Sequence, residues 1–109
     1  MVSIMLTAAG FHVLLALASG RKHGYAVMRF VEEISGGAVR LGPGTLYRTI
    51  NRLVADGLVE EFDAGDPAAP HDARRRYYKL TPQGERAARD EAELMTRLVT
   101  AAKEAGLIT

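Results

Sequence analysis

Apolar residues recur at helical spacing in three segments of the first half of the chain. Residues 7–18 are apolar nearly all round, which predicts a helix buried on most of its sides. Residues 24–34 place apolar and charged positions on opposite sides and stop at Ser35–Gly36–Gly37, which predicts a second, amphipathic helix. Residues 45–56 form the third segment, in which the polar and apolar sides separate most clearly.

The third segment follows a turn at Gly42–Pro43–Gly44, and proline suits the start of a helix because its missing N–H is not needed there. The apolar residues fall within an arc of about 120°, a normal core-facing stripe. They are Leu46, Tyr47, Ile50, Leu53 and Val54. Thr45, Arg48, Thr49 and Arg52 lie on the other side, at positions i, i+3, i+4 and i+7. The pattern predicts a helix that docks by one side, exposes its polar side and ends at Gly57.

Two short β-compatible runs follow, residues 58–62 and 75–80, with a loop at residues 63–73 between them, and they predict a β-hairpin. Thr81–Pro82 supplies an N-cap and a first helical residue for a last helix that ends at Gly106. The order of elements predicts a mainly α fold with a small β-hairpin (α+β). We expect a winged helix-turn-helix in residues 1–81 and a further C-terminal helix in residues 82–109.

The composition narrows the class of protein. The chain has 109 residues and no cysteine, so we expect one compact domain in the reducing cytoplasm, without disulfides or thiolate sites. The longest apolar stretch, within residues 6–19, is too short to cross a bilayer, and no Lys or Arg precedes it as in a signal peptide. We therefore expect a cytoplasmic protein with no membrane partner.

No residue pattern typical of an enzyme or a metal site is present in the sequence. The histidines lack ligand spacing: His12 is in the apolar first helix, His23 starts the second helix and can cap it, and His71 is in the loop. Gly42–Pro43–Gly44 lacks the Lys of a phosphate-binding loop. We predict no enzymatic activity, no cofactor and no metal.

The net charge is only +1, but the charges are segregated along the chain. Residues 34–55 contain Arg40, Arg48 and Arg52 and no acid, and residues 73–80 contain four cations and again no acid. Two local basic surfaces on a nearly neutral chain are typical of a protein with a defined polyanion footprint.

The polar side of the third helix has the residue types that read double-stranded DNA. Arg48 and Arg52, one turn apart, can donate bidentate hydrogen bonds to guanine or hold phosphates. Thr45 and Thr49 suit phosphate contacts or a thymine methyl group. The helix start at Gly44 offers free N–H groups and a positive dipole end to the DNA backbone. An ordinary solvated helix face is the alternative, but such faces usually interleave Glu with Arg, and here the sole acid is at the far end.

The predicted hairpin loop is typical of a wing. The loop itself carries aspartates, so the cationic contacts with DNA are expected at its base, from Arg74, Arg75 and Arg76. For Arg76 we also consider an ion pair across the hairpin with Glu60 or Glu61.

The last helix carries an apolar arc wider than one small domain can cover. Part of this arc is expected to pack on the first helix, and the surplus favours a homodimer. The predicted dimer contacts are Leu94, Met95, Leu98, Val99 and Ala102. A dimer would place two recognition helices about 34 Å apart, the spacing of two half-sites of a palindrome.

Several segments together resemble the PadR family of regulators, over roughly residues 6–84. They are His23–Gly24–Tyr25, the Leu-Gly-Pro-Gly-Thr-Leu-Tyr run at 41–47, Asp56–Gly57–Leu58, and the Arg-Arg-Tyr-Tyr-Lys-Leu-Thr run at 75–81 with Gly84. The single C-terminal helix is similar to the shorter type within this family.

The resemblance implies a homodimer, joined through the C-terminal helices and the first helix, that binds a palindromic operator and usually represses transcription. It implies DNA contacts at Thr45, Tyr47, Arg48 and the wing, supported on the DNA backbone by the helix that contains Tyr25. Some short members bind planar aromatic drugs through an aromatic residue on the last helix. This chain has no such residue there, so a small-molecule effector stays unidentified.

Two alternatives stay open from the sequence. The winged helix can serve as a protein-interaction module, with Arg74–Arg75–Arg76 meeting an acidic partner and no sequence-specific DNA binding. It can also be a ligand sensor that binds DNA weakly, which stabilisation by small apolar compounds would reveal.

Overall fold

The structure is a computed structural model that describes residues 6–63 and 76–109. Within these residues, four helices and three strands follow one another along the chain. They are α1 (Ala8–Ala18), β1 (Lys22–His23), α2 (Gly24–Ile34), α3 (Pro43–Ala55), β2 (Val59–Asp63), β3 (Arg76–Leu80) and α4 (Pro82–Glu104). The predicted α+β fold and its helices are confirmed. None of the helices within the described ranges is long and apolar enough to span a membrane.

The three strands form one antiparallel sheet in the order β1-β3-β2. The predicted hairpin is its β2–β3 part, with Val59 opposite Leu80 and Phe62 opposite Tyr77. The sequence prediction missed β1, which pairs His23 with Tyr77 on the other edge of β3. A strand of two residues is too short to show an alternating pattern, so only the pairing with β3 reveals it.

The core lies where α1, α2 and α3 meet the inner face of the sheet. Its fully or almost fully buried side chains come from all these elements: Val13, Leu14, Leu17, Val27, Val31, Leu46, Ile50, Leu53, Leu58, Val59 and Tyr78. On α3 the predicted stripe is buried at Leu46, Ile50 and Leu53. Tyr47 differs from the prediction: it lies at the border of the stripe and is 44% exposed.

The start of α4 is fixed to the sheet by a short hydrogen-bonded junction. The Thr81 hydroxyl accepts a bond from the Gly84 N–H (3.0 Å) as N-cap and donates to the Gly57 carbonyl (2.7 Å). Gly84 packs directly on the backbone, since a Cβ there would lie 2.0 Å from the Leu58 carbonyl oxygen. The junction sets the direction in which α4 leaves the sheet.

Helix α4 packs on α1 and β3 through its first turns only. Ala87 and Ala88 are half-buried against the core, whereas Leu94, Leu98 and Val99 are exposed. Within the described part of the chain, Gly84 is the only buried residue among the 23 of this helix. The second half of α4 therefore projects from the domain.

Candidate nucleic-acid interface

The polar side of α3 lies open to solvent. Thr45, Arg48 and Arg52 are exposed, and Thr49 is half-buried beside them. Gly44 is also exposed, in the first turn of the helix, where backbone N–H groups lack intrahelical partners. Gly42 has no side chain to cap these groups, and the first acid after Glu33 is Asp56. The first turn of α3 therefore combines free donors, a positive dipole end and a nearby arginine.

The two arginines of α3 differ in their surroundings. Among the described residues, Arg48 Nη2 has a hydrogen bond only with the Thr45 hydroxyl, at 3.4 Å. Arg52 Nε lies 3.4 Å from an Asp56 carboxylate oxygen, with its side chain 80% exposed. An exposed pair of this kind contributes about 0.3–0.5 kcal/mol, so a phosphate can readily replace Asp56. Arg48 is the better placed of the two to meet an anion, a difference the spacing alone did not show.

The N-terminus of α2 meets α3 at Gly24 and Tyr47. A Cβ on Gly24 would lie 2.5 Å from the Tyr47 Oη, so the Tyr47 side chain packs directly on the Gly24 backbone. Tyr25, the next residue, is 61% exposed. Tyr25 and Tyr47 therefore lie where α2 meets α3, next to the polar side of α3.

His23 is the N-cap of α2. Its Nδ1 accepts a hydrogen bond from the Ala26 N–H at 3.2 Å, the capping role considered from the sequence. Its ring lies parallel to that of Tyr25, with centroids 6.5 Å apart, and edge-on to Tyr77 at 5.6 Å. His23 therefore connects the start of α2 with the sheet.

The start of α1 also borders the polar side of α3, which the sequence did not indicate. A groove of about 260 Å³ separates them. It is lined by Leu6, Thr7, Gly10, Arg48, Thr49, Arg52, Leu53 and Asp56. The two helices are in contact here, since the Leu53 side chain lies 3.8 Å from the position of a Cβ on Gly10, an ordinary van der Waals distance. No spacing rule links residues so far apart in sequence.

The wing is only partly described. Arg74, Arg75 and His71 lie outside the described residues, so the predicted contacts of the two arginines stay predictions. Arg76 is described, and its Nη1 donates to Glu61 Oε1, the cross-hairpin pair considered from the sequence. Lys79 lies 3.9 Å from a Glu60 carboxylate oxygen.

Tyr78 supports this hairpin from the inner face of the sheet. Burial raises the pKa of its phenol above the usual range, and the neighbouring Glu61 carboxylate and Tyr47 raise it further, while Arg76 acts in the opposite direction. Tyr78 is only 4% exposed. It therefore stays neutral and acts as a core residue under the hairpin.

An apolar strip runs along α4 and onto α1. Of the predicted dimer contacts, Leu94, Leu98 and Val99 are exposed, and Met95 and Ala102 are half-buried. The strip continues into a groove of about 300 Å³ between the helices, with an apolar floor and Glu85 and Arg89 among its lining residues. Phe11, Leu15, Ala18, Leu80, Ala88 and Ala92 form its apolar lining.

The family of this chain follows from comparison with known proteins. A model described as the transcriptional regulator PadR-like family matches residues 13–90. The chain belongs to the PadR family. Transcriptional regulator Rv3488 of Mycobacterium tuberculosis (strain ATCC 25618 / H37Rv) is 36% identical over 92 residues, which cover 84% of this chain and 78% of that protein. The resemblance noted in the sequence is thereby confirmed.

Two further proteins are similar to this chain. A 37.1 kDa protein in transposon TN4556 of Streptomyces fradiae is 42% identical over 86 residues, covering 79% of this chain but 22% of that protein. This PadR-family chain thus spans about a fifth of the length of that relative. A PadR family transcription regulator from Clostridium difficile R20291 superposes with a TM-score of 0.74 at 16% identity, over 90% of this chain and 97% of the other. That likeness shows the winged-helix fold.

Proposed function

We propose that this PadR-family chain is a sequence-specific DNA-binding regulator that acts as a homodimer on a palindromic operator and represses transcription. The observation that carries the proposal is the polar side of α3, with Thr45, Arg48 and Arg52 exposed next to an uncapped helix start. A helix of this width fits the major groove, and α2 packs behind it at Gly24.

The residues divide by the part of DNA that each can reach. Arg48 and Arg52 project from α3 toward base edges or the phosphates that border the groove. One DNA strand is contacted at its phosphate backbone by Thr45, Thr49 and the Gly44 N–H. The same DNA strand lies beside Tyr25 and Tyr47, at the junction of α2 and α3, and these two side chains orient α3 on it. Arg74 and Arg75, at the base of the wing, contact the neighbouring minor groove.

The homodimer is proposed to form through α4 and the exposed side of α1. Leu94, Leu98 and Val99 lie on an uncovered strip that continues into the groove lined by Phe11 and Leu15. Apolar side chains exposed over such a length are unfavourable in water and mark an interaction surface. An apolar small-molecule effector that entered this groove would act by changing the distance between the two α3 helices.

DNA specificity is tested with a duplex that the protein enriches from a random-sequence library. We expect R48A/R52A to bind this duplex about 100-fold more weakly, because each well-placed arginine–guanine pair is worth about 1–3 kcal/mol. Fluorescence anisotropy would measure the affinity, with a scrambled duplex for comparison. The variant R29A/R97A removes the same charge from exposed arginines of α2 and α4 and serves as the matched control.

The outcomes separate the proposal from its rival. A common motif among the enriched duplexes, lost only in R48A/R52A, supports sequence-specific binding. Enrichment without any motif, or an equal loss in both variants, would overturn it in favour of a protein-interaction module with a basic surface.

A further inference from the structure

The outer face of the sheet, turned away from the helical core, carries rings, cations and the carboxylate of Glu60, which lies opposite Lys79. Along β3 the buried Tyr78 points inward, so the neighbouring Tyr77 and Lys79 point outward. Residues directly opposite each other in a sheet share a face. Since His23 and Phe62 both pair with Tyr77, these three side chains form one row across the face.

The row is a continuous line of aromatic contacts. Phe62 and Tyr77 have ring centroids 6.1 Å apart, and His23 meets Tyr77 edge-on at 5.6 Å. His23 then lies parallel to Tyr25, with centroids 6.5 Å apart. The line therefore runs from the hairpin to the first turn of α2.

Two cations lie against one ring of this row. Arg21 Cζ is 6.0 Å and Lys79 Nζ is 5.3 Å from the Phe62 ring centroid. Within residues 6–63 and 76–109, Arg21 has no carboxylate partner, and Lys79 has only its 3.9 Å contact with Glu60. A cation held over an aromatic face keeps its charge and its N–H donors, so both can still bind an anion.

The row is also continuous with the polar side of α3. It ends at Tyr25, whose neighbour Gly24 packs against the Tyr47 side chain of α3. Rings and cations thus follow one another without a break from Phe62, through His23 and Tyr25, to the start of α3. An anionic polymer that lies on α3 and is longer than one groove would pass over this face.

We propose that the outer face of the sheet binds the phosphodiester backbone of duplex DNA that flanks the site contacted by α3, an inference that rests on the proposed DNA-binding function. Arg21 and Lys79 pair with successive phosphates, and the Tyr77 hydroxyl donates to one of them. Tyr25 bridges this contact and the one made by α3. Because phosphates carry no base identity, the surface adds affinity and fixes register without adding sequence preference.

The test compares R21Q/K79Q with the unmodified protein and with R29Q/R97Q, which removes the same charge from arginines outside this face. The probe is the library-enriched duplex, extended on both sides, in anisotropy titrations at several salt concentrations. We expect R21Q/K79Q to weaken binding at least about tenfold and to lower the slope of log K against log salt by about four, because each of the two subunits loses two phosphate contacts. R29Q/R97Q should change the slope by much less.

Two further readouts locate the contact. Ethylation of a phosphate that the protein contacts should prevent binding. For the unmodified protein we expect this at both the central and the flanking phosphates, and for R21Q/K79Q at the central phosphates alone. The variant Y77F keeps the ring row and removes one donor, so it should weaken binding by about threefold. The charge-conserving R21K/K79R variant should restore the salt slope.

The possible failures are distinguishable. If the unmodified protein binds no duplex, the proposed function and this inference both fall. If it binds DNA and R21Q/K79Q leaves the salt slope and the ethylation pattern unchanged, only the inference is overturned, and the face is then a surface for an acidic protein. An equal effect of R21Q/K79Q and R29Q/R97Q would also overturn it, since net charge alone would then explain the loss.

Discussion

At the scale of single residues, the environment of a side chain separates groups that look alike in the sequence. Tyr77 and Tyr78 are neighbours in β3, yet Tyr77 lies in the aromatic row of the outer face while Tyr78 is almost completely buried. Arg48 and Arg52 belong to one helix face, but within the described part of the chain only Arg52 pairs with a carboxylate. Burial and partners, rather than residue type, decide which of these groups is available for binding.

Tyr78 makes the stability of the fold sensitive to alkaline pH. Its pKa in the folded protein lies above the value of about 10 for an unfolded tyrosine, so above that pH the unfolded state loses the proton first. The stabilisation is complete below about pH 10 and is lost as the pH rises through the folded-state pKa. We expect urea unfolding at fixed protein concentration to show a fall in the free energy of unfolding from pH 9 to 11.

The variant Y78F should show a smaller fall over this range, because it has no phenol to ionise there. Tyr25 is exposed, so Y25F is the matched control and should retain the behaviour of the unmodified protein. An identical pH dependence in Y78F and the unmodified protein would show that this phenol is not responsible.

At the scale of the elements, short junctions determine how the helices are placed. β1 is only two residues long, yet it joins the end of α1 to the free edge of β3. Lys22 supports the same junction by donating from Nζ to the Ala16 carbonyl (2.8 Å) at the C-terminus of α1. A cation at this position is favoured by the helix dipole as well as by the hydrogen bond.

The junction between α4 and the sheet should depend strictly on glycine at position 84. Alanine would gain about 1 kcal/mol of helix propensity, but its Cβ would lie 2.0 Å from the Leu58 carbonyl oxygen. Backbone atoms cannot move aside as a flexible side chain can, so the cost of the clash exceeds the gain in helix propensity. We expect G84A to destabilise the protein by about 1–3 kcal/mol. Chemical denaturation measures this change.

The matched control is G44A, also in the first turn of a helix. A Cβ at Gly44 meets the end of the Arg48 side chain at 3.7 Å, without a clash, so this variant should be at least as stable as the unmodified protein. Equal stability of G84A and the unmodified protein would mean that α4 starts in a different way.

At the scale of the whole molecule, the side chains of the helical core are buried, but the apolar side of the second half of α4 is exposed to solvent. This helix of 23 residues is about 34 Å long, and its second half extends beyond the domain. Exposed Leu94, Leu98 and Val99 lie on that half, and Leu107 after it is 78% exposed. A second copy of the chain that covers this strip is the arrangement that the proposed operator binding requires.

Charge introduced into the strip should separate the proposed dimer. Leu98 is 59% exposed in the single chain, so L98E is tolerated there but would bury an unpaired carboxylate in a dimer. We expect L98E to sediment as a monomer and to lose most of its affinity for a two-half-site duplex. T100E, an exposed position on the same helix, should leave the dimer intact. A monomeric unmodified protein, or a dimer that survives L98E, would contradict this arrangement.

The sequence by itself determined the helices, the hairpin and the polar side of α3. These features repeat with a local period or carry turn residues, such as Pro43 at the start of α3 and Gly57 after its end, and local physics is sufficient to specify them. The family also followed from the sequence, because its motifs mark the same turns and helix starts.

The tertiary structure decided which distant residues meet. β1 exists only because β3 offers it a free edge, and Gly24 is required by the Tyr47 side chain of another helix. The row from Phe62 to Tyr25 combines residues of four separate elements, so no periodicity in the sequence could predict it. Contacts of this kind depend on how the elements pack, whereas the sequence pattern describes one element at a time.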